Sequence, residues 1–283
     1  MDRPALTRLD DCPAPAKLNL FLHVVGRRPD GYHLLQSAFR LIELADSLSF
    51  GIRHDGLLRR TNIVEGVPER DDLVVRAGAL LQAETGCRLG ADIRVDKRIP
   101  MGAGLGGGSS DAATTLLALN RLWQTGLDRK TLASLGLRLG ADIPFFIFGR
   151  DAFAQGIGED LQPLVLEPAF YVLLSPGVSI PTREIFAAKE LTRDSEAIKI
   201  TDFAMSTCRN DLQPVACSRY PAVQDAIDWL SQQAPARMTG SGSCIFAQVA
   251  SESEASRIIE HCPSKWRAWK TRSISCHPLL DWV

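Results

Sequence analysis

A chain of 283 residues has room for one large or two ordinary domains with a sizeable core. Its composition (45% hydrophobic, 23% charged, net charge -1) is that of an ordinary globular protein, with no basic surface for nucleic acid and no electrostatic draw towards a membrane. No run approaches the roughly 20 apolar residues of a membrane span, and seven scattered cysteines without a C-x-x-C pair read as reduced thiols of a cytoplasmic protein.

The N-terminus is acidic and proline-containing, without the apolar core of a signal peptide. In the first patterned segment Leu18, Leu20, Leu22 and Val24 alternate with Lys17, Asn19, Phe21 and His23, the period of a half-buried strand. Lys17 and Asn19 then share the face opposite the leucines, either as a solvated edge or as part of a site. Pro29-Asp30-Gly31 signals a turn that sets Tyr32 and His33 at its exit. Leu34 to Glu43 and Asp46 to Ile52 read as two more strands, and Asp71 to Glu84 as a helix with an aspartate N-cap.

The most informative stretch follows a strand predicted over Ala91 to Ile99. It runs Pro100, Met101, Gly102, Ala103, Gly104, Leu105, Gly106, Gly107, Gly108, Ser109, Ser110, Asp111 and opens a helix over Ala112 to Trp123. Five glycines let backbone N–H groups approach an oxyanion closely. The helix start adds unpaired N–H groups and a favourable dipole, so the segment reads as a phosphate cradle. It lacks the Gly-Lys-Ser/Thr of a Walker A loop. Gly102, Gly104 and Gly107 do fit G-x-G-x-x-G, but the acid a dinucleotide site needs would be Asp128, which introduces a helical pattern instead of closing a strand. A plain turn capped by Ser109 or Ser110 is the structural alternative.

A helix over Arg129 to Leu139 stops at Gly140, and Asp142 is the one charge between that stop and an apolar strand predicted over Ile143 to Phe148. Such a carboxylate is a local cap or a site residue. Gln155 to Asp160 reads as a hairpin turn, and a domain boundary is placed after residue 163, giving 1–163 and 164–283. Beyond it come a strand over Phe170 to Leu174, a loop to Thr182, a short helix over Glu184 to Lys189, and a polar, mobile stretch over residues 191–201. A helix over Pro221 to Gln233, the loop Arg237 to Ser243, a strand over Cys244 to Val249, a helix over Glu252 to His261 and a strand over Trp266 to Ile274 complete a ferredoxin-like pattern. The Gly-Ser loop is either a closure over the first loop's ligand or a plain turn.

Residues 100–110 resemble the glycine-rich motif of the GHMP small-molecule kinases, Pro-x-x-x-Gly-Leu-Gly-(Gly)-Ser-Ser. Pro15 to Leu20, Arg28 to His33, Leu139 to Pro144 and Arg237 to Gly242 are similar to the branch whose acceptor is a cytidine-diphosphate-linked polyol of isoprenoid biosynthesis. The resemblance spans nearly the whole chain. It implies an α+β, two-domain fold, ribosomal S5 domain 2-like then ferredoxin-like, and transfer of the ATP γ-phosphoryl group to a small-molecule alcohol.

Carried over by motif, it implies Asp142 and Lys17 as catalytic residues. It implies Asn19, Tyr32, His33, Thr182 and Phe186 as substrate-binding, and Lys97 with Pro100 to Ser110 as ATP-binding. Mg²⁺ is expected with ATP, without assignable ligands, and a monomer or weak dimer is expected. The alternatives are a GHMP kinase acting on homoserine, mevalonate or a sugar, and a non-catalytic nucleotide-binding module.

Overall fold

The computed structural model describes residues 6–203 and 209–283. Its elements are β1 (Arg8–Arg27), β2 (His33–Arg53), β3 (Leu58–Arg60), α1 (Leu73–Thr85), β4 (Gly90–Asp96), α2 (Gly107–Leu122), α3 (Arg129–Leu137), α4 (Ile143–Phe148), β5 (Ala152–Gln155) and β6 (Asp160–Pro163). There follow β7 (Phe170–Ser175), α5 (Thr182–Phe186), α6 (Gln213–Arg219), α7 (Pro221–Ser231), β8 (Ala236–Met238), β9 (Ile245–Val249), α8 (Glu252–Glu260) and β10 (Arg267–Arg272).

The long antiparallel pair β1–β2 carries the first sheet, with β4 and β5 on the other side of β2, β3 beyond β4 and β6 beyond β5. The two strands expected over Leu34 to Glu43 and Asp46 to Ile52 are one strand. Register shifts at four places along β1 let the pair curve without breaking. The bulged course of β1 also accommodates Pro13 and Pro15, which could not donate to a regular central ladder.

Helix α2 packs on this sheet and is buried on nearly every side, with Ala112, Ala113, Leu116, Leu117 and Leu119 all sealed. It faces Leu41, Leu48 and Phe50 of β2 in one core with residues of α1, α3 and α4. The segment expected as a strand over Ile143 to Phe148 is the helix α4. A six-residue apolar run has no period to read, and what decides it here is Pro144 at the helix start and Gly149 at φ 72° ending it.

The second sheet has the order β10-β7-β9-β8, all antiparallel, with α7 and α8 contributing to the core on it, as in a ferredoxin-like fold. A third core cluster, including Leu18, Leu20, Phe21, Ile42, Tyr171, Leu173 and Phe246, fills the seam between the two sheets. The chain ends back on the first sheet, where Ile274 N–H donates to Leu41 O (3.1 Å) and Leu279 is buried.

Two further expectations change. The short helix is Thr182–Phe186, earlier than Glu184 to Lys189. Residues 191–201 are pinned: Ser195 N–H donates to Val24 O (3.0 Å), and Gln36 bonds Ile198 through both ends of its amide. The described cysteines are all unpaired, and Cys208 lies outside the described residues. Among the described residues no helix is long and apolar enough to cross a membrane.

Candidate active site

The glycine loop owes its shape to alternation. Gly102, Gly104 and Gly106 take φ of 65°, 75° and 74°, while the intervening Ala103 and Leu105 point into the core at 3% and 1% exposure. Only glycine adopts the left-handed region repeatedly without strain, and successive backbone N–H groups in such an alternation form an anion-binding concavity. Ala103, which stands where a glycine is common in such loops, keeps φ outside that region. Helix α2 starts directly after Gly106, and no serine side chain caps it.

Loop 239–243 lies against the glycine loop instead of forming a free turn. Cys244 N–H donates to Ala103 O (3.0 Å), and Asn19 N–H donates to the Thr239 hydroxyl (2.8 Å). A Cβ on Gly104 would stand 3.0 Å from Gly242 O and closer still to Thr239 O. The two loops therefore meet backbone to backbone at Gly104.

The face of β1 opposite the leucines is not solvated. Lys17 and Asn19 are 3% and 2% exposed. The Lys17 ammonium donates to Asn19 Oδ1 (2.6 Å), sits 4.5 Å from the Phe39 ring centroid and lies 3.3 Å from Asp142 Oδ2. Its stem runs past Gly106, where a Cβ would come within 3.2 Å of Lys17 Cγ. Asn19 Nδ2 donates to Ser37 Oγ (2.9 Å), which fixes the amide so that its oxygen faces the cation. Asp142 occupies the N-cap position of α4 without capping it, and its side chain is 37% exposed. A desolvated cation thus holds a carboxylate that a substrate can still reach.

These residues line a cavity of about 570 Å³ together with Lys97, Pro100 to Ser109, Thr182, Phe186, Gly240, Ser241 and Gly242. Thr182 and Ser241 share a hydroxyl–hydroxyl bond of 2.7 Å across it. Ser110 is buried behind the loop, its hydroxyl unpaired. Tyr32 is 60% exposed and, like His33, is not among the lining residues. The His33 ring does pack 5.0 Å from that of Phe186, which lines the cavity. Asn19 is accordingly placed beside Lys17, away from Tyr32 and His33.

Lys97 is held by two carboxylates, Asp46 and Asp111, the latter at 2.7 Å. Asp46 also accepts from the backbone N–H groups of Arg98 (2.5 Å) and Ile99 (2.8 Å). One cation between two buried acids cannot fully neutralise both. Burial therefore pushes the Asp111 carboxyl up against the pull of Lys97, while the two carboxylates outweigh the burial that would lower Lys97. The network ties β2, the start of the glycine loop and the second turn of α2 into one brace.

Sequence reasoning missed this brace and an apolar end of the cavity formed by Val64, Val67, Leu73 and Val95, and it left the 239–243 loop open between a closure and a plain turn. The Asp46 signal was a lone aspartate inside a strand pattern. The apolar end carried no signal, because four ordinary hydrophobic residues from separate elements meet only in the fold. Asp128, considered as a dinucleotide acid, caps α3 by accepting from Thr131 N–H (2.8 Å).

The family models for the GHMP kinases N terminal domain and the GHMP kinases C terminal domain match residues 72–150 and 187–268. The chain is 70% identical over 283 residues, all of both chains, to the 4-diphosphocytidyl-2-C-methyl-D-erythritol kinase of Aromatoleum aromaticum. It is 67% identical over 271 residues, 96% of each chain, to that of Azoarcus sp.. A crystal structure of a 4-(cytidine 5'-diphospho)-2C-methyl-D-erythritol kinase superposes with a TM-score of 0.79 at 34% identity, covering 92% of this chain and 98% of that one. A homoserine kinase from Cytophaga hutchinsonii shares the fold, with a TM-score of 0.67 at 15% identity over 98% and 97% of the two chains. The chain belongs to the GHMP kinases and, within them, to the family of the 4-diphosphocytidyl-2-C-methyl-D-erythritol kinases.

Proposed function

We propose that this protein transfers the γ-phosphoryl group of ATP to the 2-hydroxyl of 4-diphosphocytidyl-2-C-methyl-D-erythritol, in the non-mevalonate route to isoprenoids. The observation that carries the reading is the Lys17–Asp142 pair, 3.3 Å apart, one partner desolvated and the other reachable, at the wall of a cavity floored by the glycine loop.

Phosphoryl transfer asks a protein mainly for positioning and charge stabilisation. Asp142 accepts the proton of the attacking hydroxyl. Lys17 holds that carboxylate in place and, being desolvated, acts strongly on charge developing at the transferred group. Asn19 orients Lys17. The N–H groups of residues 102–109 receive the ATP phosphates, and the slot of Val64, Val67, Leu73 and Val95 takes the purine. Thr182 and Phe186, with Tyr32 and His33 beyond Phe186, form the acceptor end.

Among the described residues no three His, Cys, Asp or Glu side chains cluster as a metal cage. The residues present fit a Mg²⁺ ion held mostly by phosphate and water, with Ser109 beside the glycine loop among the oxygen-bearing side chains that line the same cavity. When bound, the ion would neutralise phosphate charge. Two lobes, residues 1–163 and 164–283, would close on the ligands in a cytoplasmic monomer or weak dimer.

The test is ADP release from Mg-ATP with the cytidyl substrate, homoserine, mevalonate and galactose offered separately. Turnover on the cytidyl substrate alone is expected. Turnover only on another acceptor would overturn the substrate assignment, and ATP binding without turnover on any would leave a nucleotide-binding module.

A further inference from the structure

We propose that Arg193 is a positioning residue that fixes His33 in the Nδ1–H tautomer, so that the ring offers the substrate's base a hydrogen-bond donor and no acceptor. The proposal rests on the cytidyl acceptor argued above and concerns how that acceptor is told from its uridine counterpart.

Arg193 Nε donates to His33 Nε2 at 3.1 Å. A guanidinium carries only donors, so Nε2 must present its lone pair, and the proton of the neutral ring sits on Nδ1. The ring is neutral because burial holds it below the ordinary histidine value, with the Arg193 and Arg27 cations adding to the effect.

Arg193 itself cannot turn away. Its other arms donate to the carbonyl oxygens of Phe186 (3.2 Å), at the end of α5, and of Ala188 (2.5 Å) and Leu191 (3.0 Å) in the segment that follows it. The same residue thus holds the backbone of Phe186 and the ring tilted against it, at 5.0 Å and 30°. Since Phe186 lines the cavity, the fixed imidazole stands at its edge. A donor-only ring facing N3 complements cytosine, whose N3 accepts. It opposes uracil, whose N3 carries a proton. Sites built around one hydrogen-bond polarity discriminate far better than apolar pockets.

The experiment uses the full chain labelled with ¹⁵N. Long-range ¹H–¹⁵N correlations of the ligand-free protein, with His33 assigned by its loss in His33→Gln, should show His33 protonated at Nδ1. In Arg193→Met the ring should shift towards the Nε2–H form that free histidine favours. Kinetically, Arg193→Met should raise KM for the cytidyl substrate about tenfold or more, with KM for ATP within about twofold. Arg193→Lys, which keeps one donor, should recover part of the loss. In a His33→Ala background Arg193→Met should change KM for the substrate less than about twofold, because the effect passes through the ring.

A wild-type ring protonated at Nε2 would overturn the proposal even with the activity intact. So would an Arg193→Met effect as large without His33 as with it, the signature of a loop support. Failure of the wild type to use the cytidyl substrate would instead defeat the functional reading and leave the tautomer result standing.

Discussion

Gly104→Ala tests the claim that two backbone loops build the phosphate site between them. At φ 75° an L residue sits in the left-handed region, which costs about 1–2 kcal/mol. The added methyl also meets backbone: it lies 3.0 Å from Gly242 O, 3.1 Å from Gly242 N and closer to Thr239 O. No flexible side-chain end can move aside there, and overpacking of this kind adds roughly 1–3 kcal/mol. The loss of stability is therefore about 2–5 kcal/mol, a melting temperature lower by roughly 5–15 °C for a chain of this size.

Relief requires the glycine loop and the 239–243 loop to separate by a large part of an ångström. Displacements of that order reduce catalysis about 100-fold. The assay is thermal unfolding together with kcat and KM for ATP, with Ala103→Gly as the control. That neighbour keeps an ordinary φ, so its replacement should cost only about 0.5–1 kcal/mol. A Gly104→Ala protein that melts with the wild type and keeps its ATP kinetics would refute the clasp.

Lys17→Met keeps the stem against Phe39 and Gly106 but removes the charge, and kcat should fall about 100- to 1,000-fold with KM for ATP little changed. Asp46→Asn leaves Lys97 paired with Asp111 alone and weakens the acceptor of the Arg98 and Ile99 N–H groups, and should destabilise the protein by about 1–3 kcal/mol in denaturant titration, the cost of an unsatisfied buried donor. His277, fully buried and held down to about 4 by that burial, gives an acid-side signature. Above pH 6.5 it is neutral in both states. Between 6.5 and 4 the unfolded chain binds the extra proton, so about 3 kcal/mol of stability is lost as pH falls through that window. His277→Asn should flatten the stability–pH curve there relative to the wild type. Asp151, raised to about 6 mainly by burial, acts in the opposite sense: the folded state binds the extra proton between 3.8 and 6, and stability rises as pH falls across that range. Asp151→Asn should therefore make the wild type's acid-side loss steeper.

What could be read from the chain was whatever one local pattern encodes. The strand–glycine loop–helix order places the cradle, because alternating φ > 0 positions can be filled by little else than glycine. Asp142 stood out because it interrupts apolar sequence after a helix stop. The alternation around Lys17 gave the right face and left its environment open. A charged and an amide residue on one strand face are solvated or buried according to what packs over them, and here Phe39 and Asp142 do so from 22 and 125 residues away. Period failed where the run was short: Ile143 to Phe148 is helical because of its ends, and its interior says nothing. The polar segment at 191–201 looked mobile because polarity suggests solvent, yet Ser195 and Ile198 dock on β1 and β2 through hydrogen bonds that no composition reveals.

The central claim is that Asp142, steadied by Lys17, takes the proton of the attacking hydroxyl. The direct measurement is single-turnover phosphoryl transfer by Asp142→Asn with saturating Mg-ATP and 4-diphosphocytidyl-2-C-methyl-D-erythritol, alongside calorimetric titration of both ligands. Loss of the chemical step by about 100-fold or more, with both ligands bound as by the wild type, is the predicted result. Transfer at the wild-type rate would contradict it and place the proton acceptor elsewhere in the cavity.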